Sequence, residues 1–193
     1  MAQRQVIKMG NPILARIAAP VEWFGTAVLD ELITDLWDTM AAEGGIGIAA
    51  PQIGESVRLV VFGLADEPRG PCAETIAPTV LINPVITPLA DEVELGWEGC
   101  LSVPGMRGQV PRFNQIRYSG FDASGNTFSR DVSGYHARVV QHECDHLDGI
   151  LYPQRMSDLS SFGFNDEIER AMMARLGAGN AGAASDDPDS ETR

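Results

Sequence analysis

The sequence holds only three histidines and three cysteines among its 193 residues. The cysteines, Cys72, Cys100 and Cys144, are odd in number and follow no framework spacing. That argues against a secreted disulfide scaffold and for a reducing compartment, where thiols stay free to act as ligands or nucleophiles. Basic residues are also scarce: 14 Lys and Arg stand against 27 acids, a net charge of −13. Such a chain is unsuited to sequence-independent nucleic-acid or anionic-membrane binding, which needs a Lys/Arg surface. Part of the acid excess is local, with Asp186, Asp187, Asp189 and Glu191 near the end. No apolar run approaches the ~20 residues of a helical membrane span. No apolar segment follows the first basic residues, so a secretory signal is not expected. Residues 1–21 carry Arg4, Lys8 and Arg16 and no acid, a composition similar to an organelle transit peptide, although a short ordered arm is the reading taken. What is present is ordinary for a globular protein, with 44% hydrophobic and 21% charged residues. The length suits one well-buried domain.

Apolar residues Val28, Leu29, Leu32, Ile33, Leu36, Trp37 and Met40 recur at helical spacing and predict a helix over 27–42, stopped by Gly44-Gly45. The alternating glycines of Gly45-Ile46-Gly47-Ile48 suggest an extended segment that another backbone can approach closely. Val57 to Phe62 reads as a strand, and the proline-bearing residues 64–78 as a loop. Val80-Leu81-Ile82 reads as a short strand ended by Asn83-Pro84. Val93, Leu95 and Trp97 alternate like a strand leading to Cys100, and Ile116, Tyr118 and Phe121 mark another. A turn at 122–126 precedes a strand over 128–132. A helix is expected from an N-cap at Ser133 to Leu147, with Ala137, Val140, Cys144 and Leu147 as its apolar stripe and Gly149 as its stop. A last helix over 164–176 places Asp166 and Glu167 early and Arg175 late, which suits the helix dipole. The fold class is α+β, with short strands forming sheets around a buried helix. One catalytic domain is expected over 1–176, with 177–193 expected as a disordered acidic tail.

That buried helix carries His142-Glu143-Cys144-Asp145-His146, an H-E-x-x-H pattern. Residues four apart share a helix face, so both imidazoles can reach one metal ion with Glu143 beside it as general base. The bland alternative is two helix histidines around a surface glutamate. A metallopeptidase would add a later Glu or His as third ligand. Asp145 and Asp148 lie too near on the same helix to close the shell, and Asp145 reads as a supporting or capping contact. His136 reads as a structural, partly buried residue. Cys100 is the better third ligand, aimed at the helix from the end of a strand; its alternative is a core thiol. Cys144 reads as packing and Cys72 as an exposed oxidation liability.

Three segments in order resemble the three signature motifs of the peptide deformylases. They are Gly45-Ile46-Gly47-Ile48-Ala49-Ala50-Pro51-Gln52, Glu98-Gly99-Cys100-Leu101-Ser102 and Gln141-His142-Glu143-Cys144-Asp145-His146. Val110-Pro111-Arg112 and the stretch from Val6 to Glu22 are also similar to the family, so the resemblance covers about residues 4–160 and leaves no room for a transit peptide.

The resemblance implies a metal-dependent hydrolase that removes the N-formyl group from the formylmethionine of nascent polypeptides and releases formate. Cys100, His142 and His146 are then the ligands of one divalent ion. The resemblance implies Fe(II) first, with zinc, nickel or cobalt as replacements, since imidazole and thiolate accept several metals. The metal acidifies a water that attacks the formyl carbon, with Glu143 as general base and then acid. Gln52 side-chain amide and Leu101 N–H hold the oxyanion. Gly45, Ile46 and Gly47 admit the substrate backbone as an added strand, with Gly99 on the other side. Val139 walls the methionine pocket or packs in the core, two uses the sequence leaves open. Glu98 and Arg112 either pair beneath the site or stand as surface charges. Alternatives are an H-E-x-x-H peptidase and a silent formyl-peptide-binding relative. Family members can dock on the ribosome through a basic C-terminal helix. This chain is acidic beyond Arg175, so at most a transient ribosome contact is expected. Direct nucleic-acid binding and membrane association are not expected. A cytoplasmic monomer is.

Overall fold

A computed structural model describes residues 3–64 and 75–182. Among the described residues, eight strands and three α-helices form two sheets with helices packed against them. A five-stranded antiparallel sheet comprises β1 (Gly47–Ala49), β2 (Leu59–Phe62), β3 (Thr79–Pro88), β6 (Gln115–Phe121) and β7 (Thr127–Ser133), neighbours in that order. A three-stranded sheet comprises β4 (Val93–Cys100), β5 (Val103–Phe113) and β8 (Gly163–Phe164). Helix α1 (Ala27–Ala42) covers one face of the larger sheet. Helix α2 (Gly134–Leu147) lies on its other face and also meets β5 of the smaller sheet. Helix α3 is Asn165–Gly182.

The alternation along β2 shows why the sheet is covered twice. Val60 and Phe62 belong to the core under α2, while Leu59 and Val61 belong to the core under α1, and all four are fully buried. Helix α1 starts at Thr26, whose hydroxyl accepts from Leu29 N–H. It ends in a Schellman motif: Gly45 N–H reaches Met40 carbonyl at 2.9 Å and Gly44 N–H reaches Ala41 carbonyl at 3.2 Å. Gly44 sits at φ +67°, which an L side chain rarely tolerates, and the chain leaves it directly into β1. Val28, placed by spacing in the apolar stripe, is instead 65% exposed.

Other elements depart from the sequence reading for local reasons. Strand β3 does not stop at Asn83-Pro84 but runs through it with a register shift between Ile82 and Val85. Asn83 takes φ +49° there, and its side-chain amide bonds Val21 N–H and carbonyl, both at 2.9 Å. Strand β5 was hidden in the sequence by Pro104, Gly105, Gly108 and Pro111; it has strand partners on both sides only at Arg107, so both prolines fall where one edge is open. Ser133 stands at the α2 N-cap but makes no capping bond; Gly134 N–H bonds Asn114 backbone and side-chain oxygens instead. At the other end Arg58 bonds Leu147 carbonyl and Asp148, a cation where the helix dipole favours one. Helix α3 continues to Gly182, past the end at 176 expected from sequence. Cys72, most of the 64–78 loop and residues 183–193 lie outside the described residues.

The N-terminal arm is ordered, as expected. Ile7 N–H bonds Gln52 carbonyl at 2.9 Å, Met9 N–H bonds Ser102 carbonyl at 2.8 Å, and Ala19 bridges to Val57.

Candidate active site

The apolar stripe of α2 fixes the helix first. Ala137, Val140, Cys144 and Leu147 all join the core under the five-stranded sheet. With that face spent, His142, Glu143 and His146 point away, toward the end of β4. Strand β4 turns tightly into β5, with Cys100 paired to Val103 and Leu101-Ser102 as the turn. The thiol of Cys100 and one nitrogen each of His142 and His146 all lie within 4.8 Å of one another, and Cys100 Sγ is 3.4 Å from His146 Nε2. This thiolate–imidazole set suits a transition-metal dication and leaves a coordination position for water. His136 is elsewhere, packed edge-on against Phe62.

His142 is oriented from behind. Its Nδ1 lies 2.8 Å from Glu98 Oε2, which leaves Nε2 for a metal. Glu98 is gripped by Arg112 through two bonds of 3.0 Å and by Arg138 at 2.9 Å. Arg112 also meets Asp145, which Arg155 holds through two further bonds. Glu98 and Arg112 therefore do pair beneath the site. Burial works against the Glu98 carboxylate, but His142 and Arg112 hold its pKa far below the usual range. Burial likewise opposes charge on His142, yet bonds to Cys100 and Glu98 raise its pKa well above the ordinary value. Burial lowers His146, reinforced by the His142 charge, so its imidazole is neutral. A metal ion would displace the His142 proton.

Glu143 is 4% exposed, and its Oε2 has no hydrogen-bond partner. Burial pushes its carboxyl up to about 7. Gly47 is what admits it: a Cβ at 47 would overlap the Glu143 carboxylate, lying 2.7 Å from Cδ. Gln52 is buried with its orientation set, because Oε1 accepts from Ala49 N–H at 2.8 Å. Its Nε2 then faces Cys100 Sγ at 3.5 Å and Ser102 Oγ at 3.2 Å.

These groups open on a cleft of about 460 Å³. Gly45, Ile46, Gly47, Gln52, Gly99, Cys100, Leu101, Val139, His142 and Glu143 all line it, and His146 sits behind them. Its rims are β1, an edge strand of the larger sheet, and β4, an edge strand of the smaller. Sequence reasoning missed Ser102, Arg138 and Tyr152. Tyr152 stacks on the His142 ring at 6.1 Å and 25°. Nothing in its sequence context signals that contact. Ser102 was visible inside the quoted motif.

The site thus has the donor set of a hydrolase-type metal centre, two helix histidines and a strand cysteine beside a buried carboxyl. The family model of polypeptide deformylase matches residues 3–162, and the chain belongs to that family. Peptide deformylase 1 of Nitrosomonas europaea is 56% identical over 165 residues, 86% of this chain and 94% of that protein. The class I type b peptide deformylase of Acinetobacter baumannii bound to Met-Ala-Ser superposes with a TM-score of 0.76 at 39% identity, covering 80% of this chain and 99% of that one. The actinonin-bound form of that protein gives 0.73 at 36%, covering 81% and 100%. The chain is accordingly a metal-dependent hydrolase that removes N-terminal formyl groups, rather than a general H-E-x-x-H peptidase. No helix among the described residues is long and apolar enough to cross a membrane.

Proposed function

We propose that this chain deformylates the N-formylmethionine of nascent polypeptides in the cytoplasm, as a monomer, with Fe(II) held by Cys100, His142 and His146. The observation that carries this reading is the convergence of those three donor atoms within 4.8 Å, beside a buried Glu143 carboxyl and inside one cleft. A bound dication supplies a Lewis acid and a water acidic enough to act near neutral pH. Glu143 takes the proton from the attacking water and delivers it to the departing amine nitrogen. Its Oε2, which has no hydrogen-bond partner among the described residues, supports that role. Gln52 Nε2 and Leu101 N–H receive the charge that grows on the formyl oxygen, a contribution typically of about 3 kcal/mol per donor. Gln52 is pre-set for this by its Ala49 bond.

The substrate backbone adds as a strand beside Ile46, and Gly45 and Gly99 leave it room. Val139 walls the methionine pocket. Product is released as formate and a free methionine amine. Contact with the ribosome is transient. The test is formate release from a short N-formylmethionyl peptide by anaerobically prepared, Fe(II)-loaded protein. Rapid release is expected; none, with metal shown to be bound, would overturn the reading.

A further inference from the structure

The donor atoms come from two elements, β4 and α2, that no covalent bond joins. Arg138 bridges them. It stands one turn before His142, with its side chain only 11% exposed. Its Nη1 donates to Glu98 Oε1 at 2.9 Å, to Val110 carbonyl at 2.8 Å and to Gly96 carbonyl at 3.4 Å. Its Nη2 donates to Glu94 carbonyl at 2.7 Å. One planar guanidinium therefore grips the backbone of β4 at two points, that of β5 at one, and the carboxylate that orients His142. Gly96 makes this possible: a Cβ there would lie 2.6 Å from Arg138 Cζ and 2.7 Å from its Nε and Nη2. Arg112 does not substitute, because its bonds go to the Glu98 and Asp145 carboxylates and tie no β4 carbonyl.

We infer that Arg138 is a positioning residue of the metal centre, setting the Cys100 strand against the histidine helix and holding Glu98 on His142, and that Gly96 is glycine to admit it. This rests on Cys100, His142 and His146 being the ligands.

Co(II) is the probe, because its absorption reports thiolate ligation and coordination geometry without any turnover. Affinity is read against a competing chelator for wild type, Arg138→Met, Gly96→Ala and the double variant. Arg138→Met is expected to weaken Co(II) binding by about 10-fold or more and to shift the visible bands. Gly96→Ala is expected to do the same while leaving Arg138 and Glu98 chemically intact. The double variant is expected to be no worse than the poorer single, since the added Cβ then meets no guanidinium. Arg138→Lys falls between, a point charge being unable to span four acceptors. Unchanged affinity and spectrum in folded single variants, or losses that add in the double, would overturn the inference. Should Arg138→Met fail to fold, Gly96→Ala and Arg138→Lys decide it by the same readings. Failure of wild-type protein to bind Co(II) would instead remove the ligand assignment itself.

Discussion

Toward the five-stranded sheet, α2 presents Ala137, Val140, Cys144 and Leu147 to Val60, Phe62, Ile116 and Tyr118, all apolar and buried. Toward the β4–β5 hairpin and the turn at Tyr152–Arg155 it presents Arg138, His142 and Asp145 to Glu98, Arg112 and Arg155, joined by directional bonds. Apolar contact is non-directional and settles where the helix lies. The charged side settles where each nitrogen and oxygen points. Buried charge is a weak source of stability, so its presence here is better explained by orientation than by holding the fold together. The hairpin shows the same division. Val93, Leu95 and Trp97 alternate as a strand should, yet they are the outward residues, 51%, 55% and 36% exposed. The inward side is given to Glu98 and to the Gly96 gap under Arg138.

Substitutions on the two sides should separate these roles. The largest effect is expected at Glu143. Glu143→Ala should lower formate release by about 1,000-fold while the protein still binds one metal ion. Turnover like wild type would remove the base assignment. Next, Glu98→Leu should destabilise the fold by about 3–5 kcal/mol by removing the buried carboxylate that Arg112 and Arg138 share, and the surviving folded protein should bind Co(II) with an altered spectrum. Leu147→Ala should cost about 2–5 kcal/mol through a cavity, with the Co(II) spectrum unchanged. An equal spectral change in both would erase the distinction between the two sides.

A third test uses pH on metal-free protein. The folded Glu143 carboxyl is raised to about 7 from 4.5, so stability is fully present below 4.5 and declines as pH rises through 7. Glu143→Gln cannot ionise and should therefore gain roughly 2–3 kcal/mol on wild type at pH 8 relative to pH 4, read from urea unfolding. A difference independent of pH would count against the burial of that carboxylate. The smallest effect is expected at Cys144→Ala, about 1 kcal/mol of stability with no loss of the thiolate–Co(II) band. Loss of that band would mean that the wrong cysteine has been assigned.

Much of the site was legible because its residues cluster in short, chemically unusual segments. Two histidines in one helical turn, in a chain that has only three, can be read without a fold. Cys100 could be placed at a strand end from the alternation before it. What could not be read is the support. Arg138 sits among helix residues where an arginine ordinarily means solvent, and only the close pass over Gly96 shows otherwise. Gly47 read as room for substrate, but the side chain it must admit is one nearly a hundred residues away in sequence. Strand β5 was lost to its prolines and glycines, and β3 to Asn83-Pro84, because local breaker signals carry no information about which edge is open or which backbone an asparagine can reach. The apolar core of α1 was clear from its period; the exposure of Val28 was not, since a stripe's width depends on what covers it.

The N-terminal arm has one more consequence, in time rather than in space. Its amides at Ile7 and Met9 close on the carbonyls of Gln52 and Ser102, one just after β1 and the other just after β4. The arm is synthesised first, but one of its two anchors follows only after half the chain. During synthesis the arm must wait with Met9 unpaired until Ser102 has been made, so this closure is late although it uses the earliest residues. Late closure of this kind slows folding. It also means that the arm ties the segment bearing Gln52 to the turn bearing Ser102, so a cut between Ile7 and Met9 would release one from the other.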